Sequence, residues 1–301
     1  MFSVGLDKTL RLFHIDGKDN QKVQSYFIKD MPIFSANFTP DGSEIILTGR
    51  RNYFYSLGLE SGRVTRTFGI RGTSITVIVL TSIGRQERSF EWSYVSPCNK
   101  YIIVLGKDGY IILLSAKTKQ WVANLKMNSG VVDVAFSPSS NQLWSLGFDG
   151  SVYQWNLDTK SCLHVFTDNG SIRGTAISIS PNEKLIAVGS SSGVVNLYDI
   201  DTVTASENPQ PKKVIMNLTT SVSNILFHPG SDLLVISSKT LKDSLKIIHI
   251  PTLQVVKNWP TDATPLGYVF TTAFSPDGQY LTIGNDKGKV LLYRLEAFAQ
   301  L

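Results

Sequence analysis

The chain has 301 residues, of which 42% are hydrophobic and 18% charged, enough to bury a large core as one all-β domain or as two smaller ones. Its net charge of +5, from 29 Lys and Arg against 24 Asp and Glu, favours acidic partners but is spread along the sequence with no long basic block. The most apolar run, residues 75–83, is too short to span a bilayer, Met1 opens no signal-peptide pattern, and the two cysteines (Cys98, Cys162) and four histidines follow no metal-ligand spacing. Membrane insertion, secretion, a metal centre and a bound cofactor are therefore not expected.

In chain order, the opening residues read as three strands, the last of them the polar run "KVQSYFI". A second copy follows, with "FTP" ending at Pro40, then "EIILTG", a third run, and "RVTRTF". An insertion from about Gly69 to Arg88 comes next, apolar at its centre and flanked by Arg71, Arg85 and Arg88; it is expected to be an extra strand or a partner-binding arm. The third copy runs from Pro97 through "YIIVLG" to "WVANLKM", and the fourth through "VVDVAFSP", "QLWSLG", "SVYQWN" and "CLHVF". The fifth holds "LIAVG" and "VVNLYD" and then a linker, residues 201–213, expected to be an exposed loop stiffened by Pro209 and Pro211. The sixth has "FHP", "LLVISS", "LKIIHI" and "VVKNW", and the seventh "FTTAFSP", "YLTIG" and "KVLLYR".

The prolines that close the first runs, Pro40, Pro97, Pro138, Pro181, Pro229 and Pro276, recur at intervals of 57, 41, 43, 48 and 47 residues. That is the period of a propeller blade, stretched once by the insertion. Proline cannot donate to a strand ladder, the polar turn after it reverses the chain, and a small residue at the end of the second run is expected to free the backbone for a tight bend. The fourth, more polar run suits a solvent-facing edge strand. The expected fold is all-β, a seven-bladed WD40-type propeller in one domain over residues 1–301. The copies supply twenty-six strands where seven four-stranded blades need twenty-eight. The missing pair is the first strand of the opening blade and the last strand of the closing one, so both blades are expected to be incomplete and the sequence a piece of a longer chain whose upstream segment supplies them.

The repeats resemble the WD family, in which the third strand ends in Trp-Asp. Here those positions hold Phe13-His14, Leu57-Gly58, Leu114-Ser115, Trp155-Asn156, Tyr198-Asp199, Ile248-His249 and Tyr293-Arg294, and only Asp199 keeps the acid. The buried polar network of standard repeats is therefore expected to be largely absent, leaving side-chain packing to hold the blades. Beyond the repeat, "GLDKTLRLFHIDGKDNQKVQS", "PIFSANFTPDG", "SSSGVVNLYDID", "NPQPKKVIMNLTTSVSNILFHP" and "FSPDGQYLTIGNDKGKVLLYRL" are similar to the C-terminal propellers of a family of U-three small nucleolar RNA-associated proteins. That resemblance implies a non-enzymatic scaffold of the small-subunit processome, in the nucleolus, acting in processing of pre-18S ribosomal RNA. Its implied partners are other WD-repeat proteins of the UTP-B subcomplex, the U-three RNA and pre-ribosomal RNA. In that family an N-terminal extension recruits the helicase of the nuclear exosome, a contact the resemblance places outside residues 1–301. A generic WD-repeat adaptor, such as a substrate receptor of a ubiquitin ligase, is the alternative.

Trp144 and Trp155 could stack on a base or a peptide, but their places in the repeat assign them to packing between blades. No histidine stands beside a nucleophile, so no catalytic residue and no small-molecule substrate is expected. The candidate contact residues lie in the turns between second and third strands: Lys8, Arg50, Arg51, Lys107, Lys239, Lys242, Lys287 and Lys289. Equivalent turns of a propeller share a face, so these charges are expected to gather on one rim, either to meet RNA phosphates or to stand as ordinary solvated turn residues. Asp7, Asp108, Asp149, Asp243 and Asp286 on the same turns offset part of that field. Reversing Arg50 and Arg51 to Glu is expected to weaken RNA binding if the rim carries it.

Overall fold

The alternating runs form twenty-six strands among the described residues, which are 1–16, 18–68, 89–139, 141–261 and 263–295 of a computed structural model. They fall into two compact units, residues 1–128 and 129–301. The first unit holds a three-stranded sheet of β1 (Phe2–Val4), β2 (Thr9–Phe13) and β3 (Lys22–Phe27). Two four-stranded sheets follow in it: β4 (Ser35–Phe38), β5 (Glu44–Thr48), β6 (Tyr53–Gly58) and β7 (Val64–Phe68), then β8 (Ser93–Val95), β9 (Tyr101–Leu105), β10 (Tyr110–Ser115) and β11 (Trp121–Lys126).

The second unit holds four sheets. The first is β12 (Val131–Phe136), β13 (Gln142–Gly147), β14 (Ser151–Asn156) and β15 (Ser161–Thr167). The next is β16 (Gly174–Ile179), β17 (Leu185–Ser190), β18 (Val195–Asp199) and β19 (Lys213–Ile215). Then come β20 (Asn224–Phe227), β21 (Leu233–Ser237), β22 (Leu245–His249) and β23 (Gln254–Val255), and finally the three-stranded β24 (Val269–Phe274), β25 (Tyr280–Asn285) and β26 (Val290–Arg294). Every sheet is an antiparallel meander in sequence order, and the seven are the blades of a β-propeller, as expected. The opening and closing sheets each have three strands among the described residues, also as expected. The insertion at 69–88 lies outside the described residues.

In the five four-stranded blades the second and third strands are the most buried, which is why their sequences are more continuously apolar than those of the flanking strands. Trp144 on β13 is fully buried and packs with Ile177, Ile179, Ile186 and Val188 of the following blade. Trp155 on β14 is buried as well and stacks on Tyr153 with ring centroids 5.5 Å apart. Both tryptophans therefore belong to the packing.

Three expectations need correction. Residues 201–213 do not form a simple exposed loop: α1 (Ile200–Ala205) opens the segment, with Val203 buried against the cluster of Phe166 and Tyr198, and Pro209 is buried further on. The segment is thus docked at two points rather than only stiffened. The outer strands expected from "KVIMNL" and "VVKNW" shrink to Lys213–Ile215 and Gln254–Val255, because pairing to the third strand stops there and Met216 turns out to solvent. Finally, the glycines closing the second strands do not bend the chain. Gly147, Gly189 and Gly284 are in strands without positive φ, and what they provide is close approach. A Cβ on Gly189 would lie 2.9 Å from Ile225 of the next blade, and one on Gly284 2.8 Å from Thr271 of the bulged first strand.

Candidate nucleic-acid interface

In the first unit, three of the four basic candidates are tied to partners elsewhere in the unit. Lys8 sits in a left-handed turn (φ 62°) and its Nζ donates to the Lys29 carbonyl at 3.1 Å. Arg50 pairs with Glu91 at 3.3 Å and lies over the Phe34 ring, 4.6 Å from its centroid. Arg51 donates through Nε to the Asp30 carbonyl at 3.2 Å. Lys107 is exposed in the turn closed by the Tyr110 amide on its carbonyl. Because Arg50 and Arg51 are tied to acceptors far along the chain, Arg50→Glu is expected to lower stability by up to about 1 kcal/mol in urea denaturation and to leave RNA affinity unchanged.

In the second unit the lysines stand differently. Lys239, Lys242, Lys287 and Lys289 are all exposed and form no ion pair among the described residues. The turns that carry them are rigidly built. The Lys239 amide donates to Ser223 Oγ at 3.0 Å, and Asn285 Oδ1 accepts from the amides of Lys287 and Lys289 at 3.1 and 3.0 Å. The aspartates of these turns each direct an oxygen at the neighbouring linker: Asp243 accepts from the Gly267 amide at 2.7 Å and Asp286 from the Tyr268 amide at 3.1 Å. In the turn Phe148-Asp149-Gly150, burial disfavours the charge of Asp149, but hydrogen bonds from Ser151 and Ser129 together hold its carboxyl below the ordinary range. Phe148 is 45% exposed beside it, under the Arg173 guanidinium at 4.8 Å.

Each unit therefore carries its candidate residues on turns, but the lysines of the second form no ion pair among the described residues, whereas Lys8, Arg50 and Arg51 of the first have partners. The sequence reading missed Tyr268 and Arg173, which lie in the linkers between one blade and the next; a search confined to turns within blades could not reach them.

Among known proteins, the model of the WD domain, G-beta repeat, matches residues 160–199. The U3 small nucleolar RNA-associated protein 18 homolog of Arabidopsis thaliana is 39% identical over 99% of this chain and 52% of its own length. The Homo sapiens homolog is 35% identical over 98% of this chain and 51% of its own length, and the Saccharomyces cerevisiae U3 small nucleolar RNA-associated protein 18 is 31% identical over 98% and 55%. The chain is a WD-repeat propeller and a homologue of these proteins. It spans about half the length of the curated relatives it matches.

The matched WD repeat carries polar anchoring that the degenerate dipeptides did not promise. Tyr198, at the tryptophan position, donates its hydroxyl to Asp168 Oδ1 at 2.7 Å, and Asn196 Nδ2 donates to the same oxygen at 3.0 Å. The Asn169 amide in turn donates to the Tyr198 hydroxyl at 2.9 Å. In the preceding repeat Trp155 Nε1 donates to Ser145 Oγ at 2.8 Å. The expectation that packing alone holds the blades is corrected on these two repeats. Burial raises the affinity of Asp168 for a proton, against hydrogen bonds from Asn196 and Tyr198 that favour its charged form. Burial, together with the nearby Asp168 charge, also makes the Tyr198 hydroxyl much harder to ionise than a free phenol.

Among the described residues no group of three or more His, Cys, Asp and Glu side chains could hold a metal ion, and no helix is long and apolar enough to cross a membrane.

Proposed function

We propose that this propeller is a non-catalytic scaffold module of the small-subunit processome, serving pre-18S ribosomal RNA processing and small ribosomal subunit biogenesis in the nucleolus. The observation that carries the reading is the similarity itself: the relatives named for association with U3 small nucleolar RNA match 98% or more of this chain, through every blade and not through a shared repeat signature alone. Its partners in this reading are other WD-repeat proteins of the UTP-B subcomplex, U3 RNA and pre-ribosomal RNA. A propeller suits such work because its turns form broad, rigid surfaces whose side chains can vary without disturbing the sheets. RNA contact would run through Lys239, Lys242, Lys287 and Lys289, whose ammonium groups are exposed and unpaired.

Affinity purification of the tagged natural protein tests this. Enrichment of U3 RNA together with several WD-repeat proteins is the expected result. Recovery of ubiquitin-ligase subunits without U3 RNA would return the chain to the generic adaptor reading.

A further inference from the structure

Tyr268 lies between two of the lysine-bearing turns, and hydrogen bonds make the three segments one surface. On one side, the Asp243 amide donates to the Gly267 carbonyl at 2.8 Å while Asp243 Oδ1 accepts from the Gly267 amide. On the other, the Asp286 amide donates to the Tyr268 carbonyl at 3.1 Å while Asp286 Oδ1 accepts from the Tyr268 amide, and Asn285 Nδ2 donates to the Leu266 carbonyl at 3.2 Å. Gly267, at φ +74° and closely approached by Asp286, sets the bend that presents Tyr268. Tyr268 is 41% exposed, Leu241 in the adjoining turn is 44% exposed, and the same two turns carry the exposed Lys242, Lys287 and Lys289.

We propose that this surface binds single-stranded RNA, with the Tyr268 ring stacking on an unpaired base and Lys242, Lys287 and Lys289 contacting the flanking phosphates. The inference rests on the nucleic-acid reading of the preceding section and adds to it the residue that reads a base face and the strandedness of the ligand. Three properties favour this occupant over a protein. Lysine is depleted at the centre of protein interfaces, whereas here lysine-bearing turns flank Tyr268 on both sides. Hydrogen bonds to Asp286 at both its amide and its carbonyl fix the Tyr268 backbone, so only the side-chain torsions are left to order on stacking. Asp243 and Asp286 each turn an oxygen inward to a backbone amide, so three lysines against two aspartates leave a positive surface in contact with solvent. A stacking ring needs a base free of its pair, which excludes a continuous duplex.

Titration of the chain with a short labelled uridine oligonucleotide over a series of salt concentrations tests the proposal. Tyr268→Ala is expected to weaken binding by roughly tenfold, within the range that loss of one base stack gives, with the salt dependence unchanged. Tyr268→Phe keeps the ring and is expected to keep the affinity. Lys287→Gln with Lys289→Gln is expected to flatten the slope of log K against log salt by about 1.4, at about 0.7 per phosphate contact on a single strand. Wild-type affinity in Tyr268→Ala, equal loss in the Phe variant, or equal binding of the matching duplex would each overturn the proposal. If the chain binds no oligonucleotide while the natural protein still co-purifies with U3 RNA, this surface is wrong and the scaffold reading stands. If the surface binds as described and U3 RNA does not co-purify, the reverse holds.

Discussion

Trp144→Ala is expected to destabilise the second unit by about 3–5 kcal/mol, seen as a lowered urea midpoint with an unchanged slope. Trp144 is fully buried where its blade meets the next, against Ile177, Ile179, Ile186 and Val188. Side chains from two sheets cannot collapse into so large a space without moving both, so the transfer loss and the cavity add. Its indole nitrogen has no hydrogen-bond partner, so the ring contributes by shape and apolar contact alone. Trp144→Phe should therefore lose only about 1–2 kcal/mol, because it removes an unpaired N–H along with part of the ring. If the two variants prove equally unstable, the indole nitrogen has a partner that this packing account lacks.

Asp168 gives the second large effect and a dependence on pH. Asp168→Ala removes the acceptor of the buried Tyr198 hydroxyl and one of the two acceptors of Asn196 Nδ2, which also donates to the Asn169 carbonyl. The expected loss is about 2–4 kcal/mol, most of it the buried Tyr198 O–H left without an acceptor. Asp168→Asn keeps a carbonyl oxygen for both donors and carries no charge into a buried site. Burial raises the carboxyl of Asp168 above its ordinary value. A group raised on folding favours the fold fully below its unfolded value, about 3.9, and that contribution is lost as pH rises through the folded value. The Asn variant does not titrate there, so its stability relative to the wild type should improve as pH rises from about 4 toward neutrality. Thermal melts across that range check this: an Asn variant as unstable as the Ala variant at neutral pH would show that the charge itself, not the acceptor, holds Tyr198.

What the sequence made legible and what it hid divide along the range of the physics. The prolines at Pro40 to Pro276 mark a local event, a strand end, so the seven copies and their twenty-six strands could be counted from the chain alone. The helix at Ile200–Ala205 is six residues long with no side-chain cap, so its stability comes from Val203 entering the core beside Tyr198, which no local pattern encodes. Asp168 reads as one more polar linker residue until the neighbouring blade brings Tyr198 and Asn196 over it. The rim residues divide in the same way. Nothing within the turns distinguishes Arg50 from Lys287, because the partner that engages Arg50, Glu91, arrives from the next blade. Tyr268 was hidden for a related reason: its exposure and its place between two turns follow from hydrogen bonds to Asp286 and from the bend at Gly267, both tertiary.

The most direct test of the account is ultraviolet crosslinking of the natural protein in its own particles, with sequencing of the attached RNA and mass mapping of the adducted peptide. The expected result is U3 or pre-ribosomal RNA joined to the peptides that carry Tyr268, Lys287 and Lys289. Particles that contain U3 RNA but yield adducts only on other surfaces, or an attached RNA unrelated to the small ribosomal subunit, would contradict it.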